Sequence, residues 1–227
     1  MTATNCLLRA PLASGKWQEP VRKNVALLLA NEMKQSSRKM FAITMTCGII
    51  EELAELERES EERGIPILGK EKGTWLCYKI QELQPKRILE LGTANGYSGC
   101  ILGSEGAQVT TVEINPTIAA EAKRNFKKFS IMAHVIIDDA VEYLQEMVID
   151  TTNLESFDII FIDCAKKLYN EVLDDCLRLV KVGGIIIADN ITFEECQDFK
   201  QRIFDHPRLN TIIVNIKDGM SCSERLE

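Results

Sequence analysis

Glu90-Leu91-Gly92-Thr93-Ala94-Asn95-Gly96-Tyr97-Ser98-Gly99 is the stretch on which the fold turns. It follows the apolar run Arg87–Leu91, which reads as a strand, and it leads into a helical segment from about Ser98 to Ser104. In a doubly wound sheet the first strand-to-helix turn lies at the C-terminal edge, where ligands bind. Glycines there let backbone and ligand approach closely, because no Cβ intervenes. Glu113 closes the next apolar run, at the place where a carboxylate can accept bonds from both ribose hydroxyls of an adenosine. Taken alone, each feature is an ordinary turn or strand-end acid. Their combination points to a nucleoside.

A dinucleotide site asks for G-x-G-x-x-G, whose middle glycine admits the pyrophosphate. Here that place is Ala94 and the pattern is Gly92-x-x-x-Gly96. Glu90 would repel a pyrophosphate but suits the ammonium and sulfonium of S-adenosylmethionine (SAM). NAD therefore takes second place.

Outward from the turn, strands and helices alternate. The strands read Arg87–Leu91, Gln108–Ile114, His134–Ile137, Phe157–Asp163 and Gly184–Asp189, with helices at about Pro116–Phe129, Ala140–Met147 and Tyr169–Val180. Apolar strands alternating with helices predict a parallel sheet covered on both faces. A helix at about Glu194–Asp205 precedes Asn210–Ile216, the turn Asp218-Gly219 and a last strand to about Arg225. That closing hairpin is antiparallel. The expectation is an α/β, Rossmann-like, doubly wound and mostly parallel sheet with a C-terminal antiparallel hairpin. N-terminal helices precede it, at about Pro20–Met40, Cys47–Glu62 and Lys72–Gln84. Residues 1–63 read as an arm and helices, and residues 64–227 as the SAM-binding domain.

The chain has 227 residues, 45% hydrophobic and 27% charged, with a net charge of −7. That composition is globular, and the acidic balance argues against broad nucleic-acid binding. The longest apolar run near the start, Val25–Ala30, is too short to span a bilayer, so a cytoplasmic protein is expected. Eight cysteines are present without a C-x-x-C pair, and they read as free thiols.

Asp163 ends the fourth strand, and Asp189 and Asn190 end the fifth. Neighbouring parallel strands bring these oxygens to the edge that carries the glycine turn. Two carboxylates and an amide suit a hard cation such as Mg²⁺, although the same residues could merely cap a helix and turn the chain. Lys166 opens the next helix, where it opposes the helix dipole. Beside a bound cation a neutral amine is favoured, and Lys166 is the candidate general base.

Glu90–Ser98, Val112–Pro116, Asp163-Cys164-Ala165-Lys166 and Ala188-Asp189-Asn190 together resemble the cation-dependent O-methyltransferases. That family includes catechol and caffeoyl-CoA O-methyltransferases, and the resemblance covers about residues 64–225. It implies that Glu90, Gly92, Thr93 and Ser98 hold the amino-acid part of SAM. It places Glu113 on the ribose, Asp139-Ala140 beside the adenine and Leu68 as a further contact. Asp163 would border both cofactor and metal, and Lys166 would deprotonate the acceptor hydroxyl. Many relatives have a second acid where this chain has Cys164, and a Trp-bearing loop where it has Ile191-Thr192-Phe193. The resemblance implies methyl transfer to a hydroxyl of a small, catechol-like acceptor. The apolar helix Val21–Met33, outside the Rossmann-like core, together with the family's habit predicts a homodimer paired through the N-terminal helices or the edge near the closing hairpin. A tRNA hydroxyl as acceptor and a catalytically silent SAM-binding module are the alternatives.

Overall fold

The computed structural model describes residues 47–227. Its strands are β1 (Arg87–Leu91), β2 (Gln108–Glu113), β3 (Ala133–Ile137), β4 (Phe157–Ile162), β5 (Val180–Asp189), β6 (Leu209–Val214) and β7 (Met220–Arg225). They form one sheet in the order β3-β2-β1-β4-β5-β7-β6. The first five run parallel, while β7 is antiparallel to both β5 and β6. The order reverses beside β1, which makes a crevice outside the strand ends.

The helices are α1 (Gly48–Glu52), α2 (Ala54–Glu62), α3 (Lys70–Leu83), α4 (Tyr97–Leu102), α5 (Pro116–Lys128), α6 (Ala140–Ile149), α7 (Tyr169–Leu179) and α8 (Gln197–Asp205). Strand side chains alternate between the faces. Ile88 and Phe161 therefore join Leu76, Ile80, Ile101 and Phe126 in one apolar layer. Leu89, Leu91, Ile160 and Ile162 join Leu144, Leu173, Leu177 and Phe199 in the other. Burial on both faces explains why these strands are apolar throughout. Ile50, Leu53 and Leu56 of α1, α2 and the residue between them belong to the first layer.

The sheet, its parallel body and its closing hairpin match the expectation. Strand β5 begins earlier than expected, at Val180, because Gly183 takes φ +77° and the register against β4 shifts between Phe157 and Ile159. One expectation is corrected. Cys47 and Cys77 form a disulfide with Cα atoms 6.5 Å apart, although 30 residues separate them. Spacing in sequence hid the pair, which forms because α1 docks on α3. Cys100, Cys164, Cys176, Cys196 and Cys222 are free. Cys6, the Pro20–Met40 helix and the Val21–Met33 dimer surface lie outside the described residues.

Candidate active site

Gly92 makes the crevice possible. Its φ is +99°, and a Cβ there would stand 2.4 Å from the Asp163 carbonyl oxygen. The ends of β1 and β4 can meet only over a glycine. Ala94 also takes a left-handed conformation, φ +45°, which is uncommon without glycine. The Ala94 N–H donates to Glu113 Oε2 at 2.9 Å. The Asn115 N–H donates to Glu113 Oε1 at 2.9 Å. The expected ribose acid is thus clamped by two backbone donors at the mouth of the turn.

Glu90 lies beneath that turn, fully buried. Ser98 Oγ donates to its Oε1 at 2.6 Å and Thr111 Oγ1 to its Oε2 at 2.5 Å. Thr93 and Thr111 hydroxyls sit 2.5 Å apart. Burial pushes the Glu90 carboxyl up to about 8 against the pull of the Ser98 and Thr111 hydrogen bonds, so it is largely protonated at neutral pH. Glu90 does not line the cavity, whereas Thr93 and Ser98 do. The pleat explains the difference, since Glu90 shares its face of β1 with inward-pointing Ile88.

A cavity of about 1180 Å³ runs along the strand ends. Leu68, Gly92, Glu113, Asp139 and Ala140 line one part of it. Asp139 accepts from the Val141 N–H at 2.8 Å, capping α6 and fixing that wall. Asp163, Lys166, Asp189 and Asn190 line the other part. The expected cofactor and acceptor residues, Glu90 excepted, therefore meet in one space.

At the second end two lysines face three carboxylates. Lys166 Nζ donates to Asp163 Oδ1 at 2.7 Å and to the Tyr169 hydroxyl at 3.0 Å. The Tyr169 hydroxyl reaches the carbonyls of Ile162 at 3.1 Å and Asp189 at 3.2 Å, pinning the base between the ends of β4 and β5. Lys72 Nζ donates to Asp189 Oδ1 at 2.5 Å and also pairs with Asp218. Burial raises the carboxyls of both Asp163, to about 6, and Asp189. Burial works the same way on Asp218, but hydrogen bonds from Lys72 and Asn190 outweigh it and hold that carboxyl low. Lys72, Asp218 and Tyr169 escaped the sequence reading. A signal for Lys72 was present, because it shares a helical stripe with Leu76 and Ile80.

The donor types here suit a hard cation, but their arrangement does not fit one. Asp163 holds Lys166, Asp189 holds Lys72, and the Asn190 amide nitrogen donates to Asp218. Among the described residues no three His, Cys, Asp or Glu side chains converge as a metal cluster.

Comparisons with known proteins bear on the family and the fold. The chain is 34% identical over 137 residues to a catechol O-methyltransferase of Niastella koreensis, covering 57% of this chain and 61% of that protein. It is 28% identical over 147 residues to a caffeoyl-CoA O-methyltransferase of Stellaria longipes, covering 62% and 61%. The chain thus spans about three fifths of the length of these curated relatives. An O-methyltransferase from Bacillus cereus, solved in complex with SAH, superposes with a TM-score of 0.69 at 22% identity, covering 81% of this chain and 93% of that one. An SAH-bound methyltransferase of Podospora anserina gives 0.66 at 20% identity, covering 97% and 100%. At such identities the two structures speak for the fold. The O-methyltransferase family model matches residues 44–226, the whole sheet and every site residue above, and the chain belongs to that family.

Proposed function

We propose that this protein transfers the methyl group of SAM to a hydroxyl of a small acceptor. The observation that carries the reading is the single cavity joining the Gly92 turn and clamped Glu113 to the Lys166–Asp163 pair. Glu113 and Asp139-Ala140 would hold the adenosine, and Thr93 and Ser98 the amino-acid end, with Glu90 supporting Ser98 from below. The acceptor would sit beside Lys166. In its neutral form this amine takes the hydroxyl proton. The oxygen then attacks the methyl carbon in line, the carbon–sulfur bond breaks, and its electron pair stays on sulfur as S-adenosylhomocysteine leaves. Orientation supplies most of the acceleration, and Asp163 with Tyr169 supplies the orientation of the base.

The relatives' names suggest catechols and hydroxycinnamoyl thioesters as acceptors. The net charge of −7 favours such small molecules over tRNA. The test is transfer of labelled methyl from SAM to a panel of these compounds and bulk tRNA. Label in a small phenol, with kcat reduced about 10²–10⁴-fold by Lys166→Ala at unchanged S-adenosylhomocysteine affinity, is expected. Label in tRNA alone would refute the acceptor class. SAM binding without any transfer would make the chain a silent binding module.

A further inference from the structure

Lys72 is only 2% exposed, and α3 carries it inward on the stripe of fully buried Leu76 and Ile80. A buried ammonium needs partners, and Lys72 has Asp189 at 2.5 Å and Asp218. Asn190, at φ +55°, donates its amide to the second oxygen of Asp218 and so fixes that carboxylate. An ammonium has three protons. Two go to these carboxylates, which leaves one for a ligand in the cavity that Lys72 lines.

From this geometry we infer that the Lys72 ammonium is the resident cation of the site. It holds the seat between Asp189 and Asp218 against divalent metals and offers its remaining proton to the acceptor oxygen. The second part rests on the function proposed above, and the first stands without it. Charge pairing supports the first part. Asp189 and Asp218 both face the Lys72 ammonium, so the seat a cation would take is already matched to a positive charge. A divalent ion seated between Asp189 and Asp218 would have to displace the Lys72 ammonium from both carboxylates and leave it without its partners.

Mn²⁺ binding to the chelator-stripped protein tests this directly, by electron paramagnetic resonance and by the shift in melting temperature. Wild type is expected to show no saturable Mn²⁺ binding at millimolar concentration. Lys72→Met and Lys72→Ala should each bind Mn²⁺ at least tenfold more tightly than wild type and gain thermal stability from it. Methyl transfer by wild type should continue in EDTA. Saturable Mn²⁺ binding by wild type as tight as in the variants overturns the inference. So does failure of both folded variants to gain binding, since Lys72 would then not be what excludes the metal. If the variants do not fold, the wild-type measurement decides: no saturable Mn²⁺ binding with transfer persisting in EDTA upholds the inference, and saturable binding or loss of transfer in EDTA overturns it. S-adenosylhomocysteine calorimetry on the same samples separates the two readings. Its failure would refute the methyltransferase assignment while leaving the metal result to stand on its own.

Discussion

Glu113 and Glu90 are carboxylates on one sheet edge with opposite fates. Glu113 is half-buried and accepts two backbone N–H bonds, so it is aimed before any ligand arrives. Glu113→Ala removes the proposed ribose partner and also frees Ala94 from its carboxylate bond. Calorimetry should show S-adenosylhomocysteine binding weakened by about 1.5–3 kcal/mol, the worth of a charge-assisted bond. Unchanged affinity would remove Glu113 from the cofactor site. Glu90 has its carboxyl raised from 4.5 to about 8 by burial. Its folded state holds a proton that the unfolded chain releases near 4.5. Its contribution to stability is therefore fully present below pH 4.5 and is lost as pH rises through 8. Denaturant titrations between pH 5 and 9 should show stability falling in that window. Glu90→Gln, which mimics the neutral acid, should flatten the fall. A wild-type profile equally flat would mean that Glu90 is ionised in the folded protein.

Among the elements, the β1–α4 turn is the most sharply specified. Gly92 sits over the Asp163 carbonyl with room for hydrogen alone. Gly92→Ala combines a forbidden φ with a backbone clash and should cost about 2–5 kcal/mol in urea unfolding, with cofactor binding lost as well. A loss below 1 kcal/mol would show that the strand ends can separate. This turn was legible in sequence because two glycines four residues apart, directly after an apolar run, suit a tight strand-to-helix turn and little else. The strands were legible for the same kind of reason, as Ile159-Ile160-Phe161-Ile162 can be buried on both faces only inside a parallel sheet. Strand ends were less so. Gly183-Gly184 reads as a break before β5, yet the strand carries on across it with Gly183 at φ +77° and a shifted register against β4. Lys72 was hidden because the sequence Lys70-Glu71-Lys72 resembles a solvated first turn. Only the meeting of α3 with the β6–β7 hairpin shows which lysine is inside.

For the whole molecule, the Cys47–Cys77 link bears on stability, since it closes a 30-residue separation between the start of α1 and the middle of α3. Reduction, or Cys47→Ser with Cys77→Ser, should lower unfolding free energy by about 2–4 kcal/mol, through the regained freedom of the unfolded chain. Equal denaturation curves with and without reductant would show that the two thiols do not pair in solution. The Lys72 end of the cavity has a different global property. Lys72 and Asp189 are 117 residues apart, and Asp218 comes later still. A growing chain emerges from the ribosome in order, so the glycine turn and Glu113 are out while Lys72 still lacks both counter-charges. A chain that stops before residue 189 carries Lys72 without either of its carboxylate partners. The hairpin that closes the sheet is thus also the segment that completes the counter-charges of a lysine buried on the far side of the chain's order.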